Sequence, residues 1–230
     1  MSFDIKNENE LVETKDQVIN LIGSYYGNPI YRYAIGKWRI KDLIETKELL
    51  DEINMLGYNY ASLHRLTDHA DIRFMPILIS HYDKADSDEK KICISNYMMH
   101  KEYSKYTASI CERYIESNSS IVKFSLSNVL YQLRNRNYIQ MYLKLVNSDD
   151  YIGQNDLLPK ILCGFHVKEF SQRLLDLYIA SPEQMKWNFA RYSYMIGTEN
   201  YIPYLSVIAK SNDRELCKYA QKSIAVILSK

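Results

Sequence analysis

The sequence predicts an all-α fold, a solenoid of stacked antiparallel helix hairpins preceded by a divergent helical region. Three observations carry that prediction. Short stretches recur at a fixed interval: Asn137-Tyr138-Ile139 precedes Asn200-Tyr201-Ile202 by 63 residues, and Met75-Pro76-Ile77-Leu78 precedes Ile202-Pro203-Tyr204-Leu205 by 127. Those offsets are two and four periods of roughly 31 to 32 residues, the length of one helical-hairpin repeat. The chain of 230 residues holds only 7 Gly and 5 Pro, too few breakers for an all-β fold with many tight turns. Apolar runs at helical spacing alternate with short polar turns such as Ser211-Asn212-Asp213.

The elements follow in order, within a single domain spanning 1–230. Residues 1–70 read as a divergent N-terminal helical cap, as terminal parts of solenoids commonly are. Leu11, Val12, Val18, Ile19 and Ile22 place a helix over Glu8 to Ile22, and Gly23 to Pro29 stops it. Leu43, Ile44, Leu50, Ile53, Met55 and Leu56 place a second helix over Ile40 to Leu56, capped by Gly57. A shorter helix is expected from Asn59 to His69.

Residues 71–230 read as about five hairpins. Ile72 to Tyr82 pairs with Glu89 to Met99, and Tyr103 to Ile115 with Ser120 to Leu133. Tyr138 to Val146 pairs with Asp156 to Phe165 across Asn147 to Asp150. Leu157-Leu158-Pro159 also reads as part of a first helix, so two phases stay open there. Phe170 to Ile179 pairs with Pro182 to Ile196, with Ser181 as N-cap and Pro182 at the first helical position. Ile202 to Ala209 pairs with Asp213 to Leu228. Each hairpin is apolar on two faces and hides both only by stacking on neighbours. In the last helix Leu216, Ala220, Ile224 and Ile227 form the expected inner stripe, while Arg214, Lys218 and Lys222 fall on another face at steps of four.

Pro203-Tyr-Leu205, the turn Asn212-Asp213, then Glu215-Leu216, Ala220 and Ile224 resemble the HEAT repeat, with its Pro-x-Leu, turn Asp and Ala-x-x-x-Leu features. The family's second-helix Arg is not matched; Lys218 comes nearest. The resemblance extends in period over 71–228 and is close in residues only in the last repeat. It implies a right-handed α-solenoid whose second helices line a curved inner face, used to grip proteins and less often nucleic acid.

Composition bounds the function. The 29 basic and 28 acidic residues give a formal net charge of +1, without the basic excess of a dedicated nucleic-acid binder. The N-terminus has no apolar signal core, and no apolar run approaches the roughly 18 residues of a membrane span. Cys93, Cys111, Cys163 and Cys217 lie far apart in apolar patterns and read as core residues in a reducing compartment. Together these features predict a cytoplasmic protein with no membrane partner. The 21 Tyr suit an interface, or reflect an AT-rich genome that enriches Tyr, Asn, Ile and Lys together, which points to a low-GC bacterium.

No chemistry-bearing motif stands out. His64 and His69 sit five apart, a poor fit to one helix face, and neither they nor His81, His100 and His166 belong to a metal-binding framework. Phosphate-cradling and nucleophile-elbow glycine motifs are missing. Asp149-Asp150 and Glu48 with Asp51-Glu52 read as solvated charge. No metal, cofactor or catalytic residue is expected.

The strongest candidate is Trp187, Arg191 and Tyr194, spaced to share one face of the Pro182–Ile196 helix. One period of 31 onward, Lys218 and Lys222 occupy the matching positions in the next second helix. Trp, Tyr and Arg dominate interface hot spots. The competing reading packs Trp187 between repeats with Arg191 laid over it. Tyr131, Arg134 and Arg136 form a lesser patch. The function expected is a non-enzymatic protein-binding module, of bacterial immunity or adaptor type. The alternative implied by the resemblance is a HEAT-like DNA glycosylase acting on alkylated bases, for which Trp187 and Arg191 supply an aromatic and a cation but no Asp lies on their face.

Overall fold

A computed structural model describes residues 40–148, 151 and 157–229, which form eleven α-helices and no strand. The helix predicted over Glu8 to Ile22, its Gly23 to Pro29 stop, the Asp149-Asp150 pair and the start at Asp156 lie outside the described residues. None of the helices is long and apolar enough to cross a membrane. The chain divides into two compact units, 1–106 with 117–133, and 107–116 with 134–230.

The first unit holds α1 (Ile40–Asn54), α2 (Phe74–Lys84), α3 (Asp88–Tyr97) and α5 (Ser120–Leu133), while α4 (Thr107–Glu116) belongs to the second. The predicted hairpin of Tyr103 to Ile115 with Ser120 to Leu133 is thus divided between the units. Within the first unit α1 packs on α2, α2 on α3, and α3 on α5. Leu49, Ile53, Phe74, Leu78, Ile92, Leu126 and Leu130 fill its core. Ser95 and Ser125 hydroxyls meet at 2.5 Å in the α3–α5 seam. Their small side chains let the helices approach while satisfying each other's hydrogen-bonding capacity.

Gly57 ends α1 as predicted, with φ 96, a left-handed conformation that glycine adopts without steric cost. The helix expected over Asn59 to His69 is instead extended chain followed by a short 3₁₀ turn, Leu63–Thr67. Asn54 explains the difference. Its carboxamide accepts from Tyr60 N at 2.8 Å and donates to Tyr60 O at 3.0 Å. Both backbone groups of Tyr60 are thereby withdrawn from any helix. Tyr58 and Tyr60 then stack at 5.0 Å, and Tyr58 meets the edge of buried Phe74 at 5.0 Å. Tyr103 likewise begins no α-helix: Lys101–Tyr106 is 3₁₀.

Asp71 anchors the entry to α2. It accepts from Arg73 Nε at 2.8 Å and from Tyr58 Oη at 2.5 Å. The Arg73 guanidinium holds the Asp71 carboxyl well below its ordinary 3.8, and the Tyr58 hydroxyl adds to that shift. A depressed native pKa means stability that is present above the ordinary value and lost as pH falls below it toward the native one. Wild-type unfolding free energy is therefore expected to fall more steeply than that of Asp71→Asn below about pH 4 in chemical denaturation across an acid pH series.

The second unit comprises α4, α6 (Ile139–Val146), α7 (Leu158–Gly164), α8 (Phe170–Ala180), α9 (Pro182–Ile196), α10 (Ile202–Ile208) and α11 (Arg214–Leu228). The hairpins α6–α7, α8–α9 and α10–α11 pair as predicted, and α7, α9 and α11 pack in succession. The helix that contains Leu158 and Pro159, α7, thus packs against both α6 and α9. Arg173 of α8 donates to Val146 O at 2.9 Å and Ser148 O at 3.3 Å, satisfying carbonyls left over at the end of α6. Buried Phe189 stacks on Tyr178 at 4.5 Å and meets Tyr201 at 4.9 Å. The Tyr201 hydroxyl donates to Ser171 O at 2.6 Å, and burial pushes its pKa up to about 12.

Helix starts in this unit have distinct causes. Asp213 caps α11 by accepting from Glu215 N at 3.0 Å and Leu216 N at 3.1 Å. Ser181 occupies the cap position of α9, but its side chain makes no capping bond. Pro182, lacking an N–H and fixed in φ, starts that helix without one.

Candidate functional site

Two parallel seams run between α9 and α11, one buried and one half-exposed. The buried seam corrects the expected stripe: Leu216, Ala220, Ser223 and Ile227 point inward, and Ile224 is only half-buried. Ser223 Oγ donates to Ala190 O at 2.7 Å. A serine suits this position because it is small and its hydroxyl finds a carbonyl acceptor on α9.

The half-exposed seam gathers most of the sequence-predicted residues. Arg191 Cζ lies 4.6 Å from the Trp187 ring centroid and 4.8 Å from that of Tyr219. The two rings meet edge to face at 6.4 Å. Arg191 Nη2 reaches Glu215 Oε1 at 3.3 Å. One turn along, Lys222 Nζ lies 5.3 Å from the Tyr194 ring centroid. The planar guanidinium is thus held between aromatic surfaces, where cation–π attraction contributes about 0.5–2 kcal/mol. Arg191 Nε, enclosed there, has no hydrogen-bond partner among the described residues. The Glu215 side chain is 62% exposed, so water screens its pair with Arg191 and the pair is easily exchanged.

Lys218 is exposed on α11 and contributes no contact to this group. The matching positions are shifted from those expected. Arg191 meets Tyr219 and Tyr194 meets Lys222, each pair separated by 28 residues. The recurrence interval counts loop residues as well as helix, whereas side-chain partners depend on the stagger of adjacent helices. Tyr219 and Glu215 were missed for that reason; their i, i+4 spacing on α11 was the available signal. In the lesser patch, Tyr131 is half-buried near the end of α5 in the first unit, and exposed Arg134, with φ 39, opens the second segment of the other unit. Arg136 lies 6.0 Å from the Phe165 ring centroid.

Elsewhere reactive chemistry is subdued. No group of His, Cys, Asp and Glu among the described residues is arranged to hold a metal ion. Cys93, Cys111 and Cys163 are buried, and Cys217 is half-buried with its thiol donating to Ala209 O at 2.9 Å. Burial pushes the Cys111 thiol up to about 12 and that of Cys163 higher still, so neither supplies a thiolate nucleophile near neutral pH.

The α9–α11 seam can therefore present aromatic area and positive charge from a pair of packed helices. Comparison of the chain with protein-family models, with curated proteins and with solved structures gives no match to any of the three.

Proposed function

We propose that this chain is a non-enzymatic protein-binding module whose docking surface is the α9–α11 face. The observation that carries the reading is Arg191 held between Trp187 and Tyr219, with Lys222 over Tyr194 beside it. A prearranged aromatic–cation surface loses little conformational entropy when a partner covers it. The residue types are those that carry most binding energy at protein interfaces. The hairpins α6–α11 form a right-handed HEAT-like stack in this reading, and bacterial immunity-type or adaptor roles are the settings the resemblance brings with it. The glycosylase alternative is less well supported: the carboxylate at Arg191 belongs to Glu215 and is engaged in an ion pair.

The test is affinity capture with wild type and the Trp187→Ala/Arg191→Ala double variant, followed by identification of the bound protein. Loss of the central anchors is expected to weaken capture by at least about thirtyfold, since a hot-spot residue typically contributes about 2 kcal/mol or more. Helical circular dichroism should stay close to wild type. Undiminished capture by the double variant rejects this face.

A further inference from the structure

We infer that the partner meets this face with an acidic protein segment whose carboxylates replace Glu215 on Arg191 and engage Lys218 and Lys222. This rests on the reading of the α9–α11 face as the docking surface and adds the chemistry of the partner. The argument is charge complementarity. Helices α9 and α11 carry Lys186, Arg191, Arg214, Lys218 and Lys222 against only Glu183 and Glu215. Five basic and two acidic side chains give this pair of helices a net charge of +3, where the whole chain has +1.

Both acidic groups are already engaged, Glu183 with Lys186 at 2.6 Å and Glu215 with Arg191 at 3.3 Å. Arg214, Lys218 and Lys222 have no ion-pair partner among the described residues, and their i, i+4, i+8 spacing sets them along one stripe of α11. Glu215 is an internal stand-in for the partner's carboxylate. It is exposed, and only one of its oxygens approaches one guanidinium nitrogen. The fork of Arg191 is able to take a carboxylate in a bidentate grip, a stronger arrangement than that single contact. Apolar side chains between the partner's carboxylates would lie on the rings of Trp187 and Tyr219.

A nucleic acid is the competing polyanion. Phosphate binding relies on many cations neutralising successive charges. Here only three unpaired cations are available, too few to track a run of phosphates, and the Trp187 and Tyr219 rings beside them offer apolar area. A carboxylate-bearing peptide with apolar residues fits that mixed surface better.

The experiment is fluorescence anisotropy of the full chain with a short labelled peptide of alternating Glu and Leu. Its Lys-for-Glu counterpart and a DNA oligonucleotide serve as the other probes. The acidic peptide is expected to bind, and binding should weaken as salt rises. Lys218→Glu with Lys222→Glu should weaken it by about tenfold, and Glu215→Gln should tighten it by about threefold. All three positions are exposed, and circular dichroism checks that each variant stays folded. No binding of the acidic peptide, equal or tighter binding of the DNA, or failure of Glu215→Gln to tighten binding overturns the inference. If Trp187→Ala/Arg191→Ala abolishes partner capture while the acidic peptide stays unbound, the docking face stands and the acidic partner falls. If capture is undiminished, both fall.

Discussion

Phe189→Ala is expected to destabilise the protein by about 3–5 kcal/mol, the usual cost of truncating a fully buried aromatic side chain. The ring is 0% exposed and sits between Tyr178 and Tyr201. Its removal leaves a cavity that these neighbours are poorly placed to fill. Tyr201 is tethered through its hydroxyl to Ser171 O at 2.6 Å and Ser171 Oγ at 2.9 Å. Tyr178 also meets Tyr204 edge to face at 6.1 Å. The substitution therefore loses contacts with two rings in addition to buried area. In a chain of this length the melting temperature is expected to drop by about 6–20 °C in a thermal scan followed by circular dichroism. A drop of less than about 2 °C would contradict the aromatic stack as the centre of the second unit's core.

Gly197→Ala is the second large effect, and it arises from crowding. Gly197 follows α9 with φ −70 and ψ 156, angles that any residue adopts. Backbone conformation thus does not require glycine there; space does. A Cβ at this position would lie 2.5 Å from Ser193 O and 2.7 Å from Tyr201 Cδ2. The carbonyl belongs to the last turn of α9 and accepts from Gly197 N at 2.6 Å, so it has little freedom to withdraw. The Tyr201 ring is confined by Phe189 and by its hydroxyl bonds. Overpacking of this kind costs about 2–3 kcal/mol. Gly57→Ala supplies the contrast, because a Cβ there meets nothing within 4 Å and only the left-handed φ of 96 opposes it. Urea denaturation of both variants compares crowding with backbone strain, and the Gly197 variant is expected to lose more.

How legible the fold was depended on what marks each helix end. Pro182 and Asp213 begin α9 and α11 through local chemistry, one by a fixed φ and the other by two side-chain hydrogen bonds, and both starts were readable from residue type. Apolar spacing predicts helix over the 3₁₀ segment Leu63–Thr67 and from Tyr103 onward within the 3₁₀ segment Lys101–Tyr106. For the first, the decisive contact is Asn54 with the backbone of Tyr60, six residues apart, and no periodic pattern contains it. Apolar spacing favours Ile224 as an inward residue, but Ser223 is the buried one and donates to a carbonyl of α9. That acceptor belongs to another helix, so its position follows from tertiary packing.

The candidate site divides in the same way. Trp187, Arg191 and Tyr194 share a helix face, and 3.6-residue periodicity is sufficient to show it. Their partners on α11 depend on how far one helix slides past the other. From Arg191 a period of 31 points to Lys222, whereas the packed stagger brings Tyr219 and Glu215 to it. The consequence is chemical: Arg191 is enclosed by two rings and paired with a carboxylate instead of standing among like charges.

The emission of Trp187 during partner binding tests the docking face most directly. The sequence contains two tryptophans, Trp38 and Trp187, so Trp38→Phe leaves Trp187 as the sole indole. The captured partner, freed of its own tryptophans by substitution, is titrated into this variant while complex formation is followed independently by anisotropy of a label on the partner. The account predicts that Trp187 emission shifts in intensity and wavelength and saturates with the anisotropy curve, because the partner covers the ring and displaces water from it. A complete anisotropy transition with Trp187 emission unchanged would contradict it.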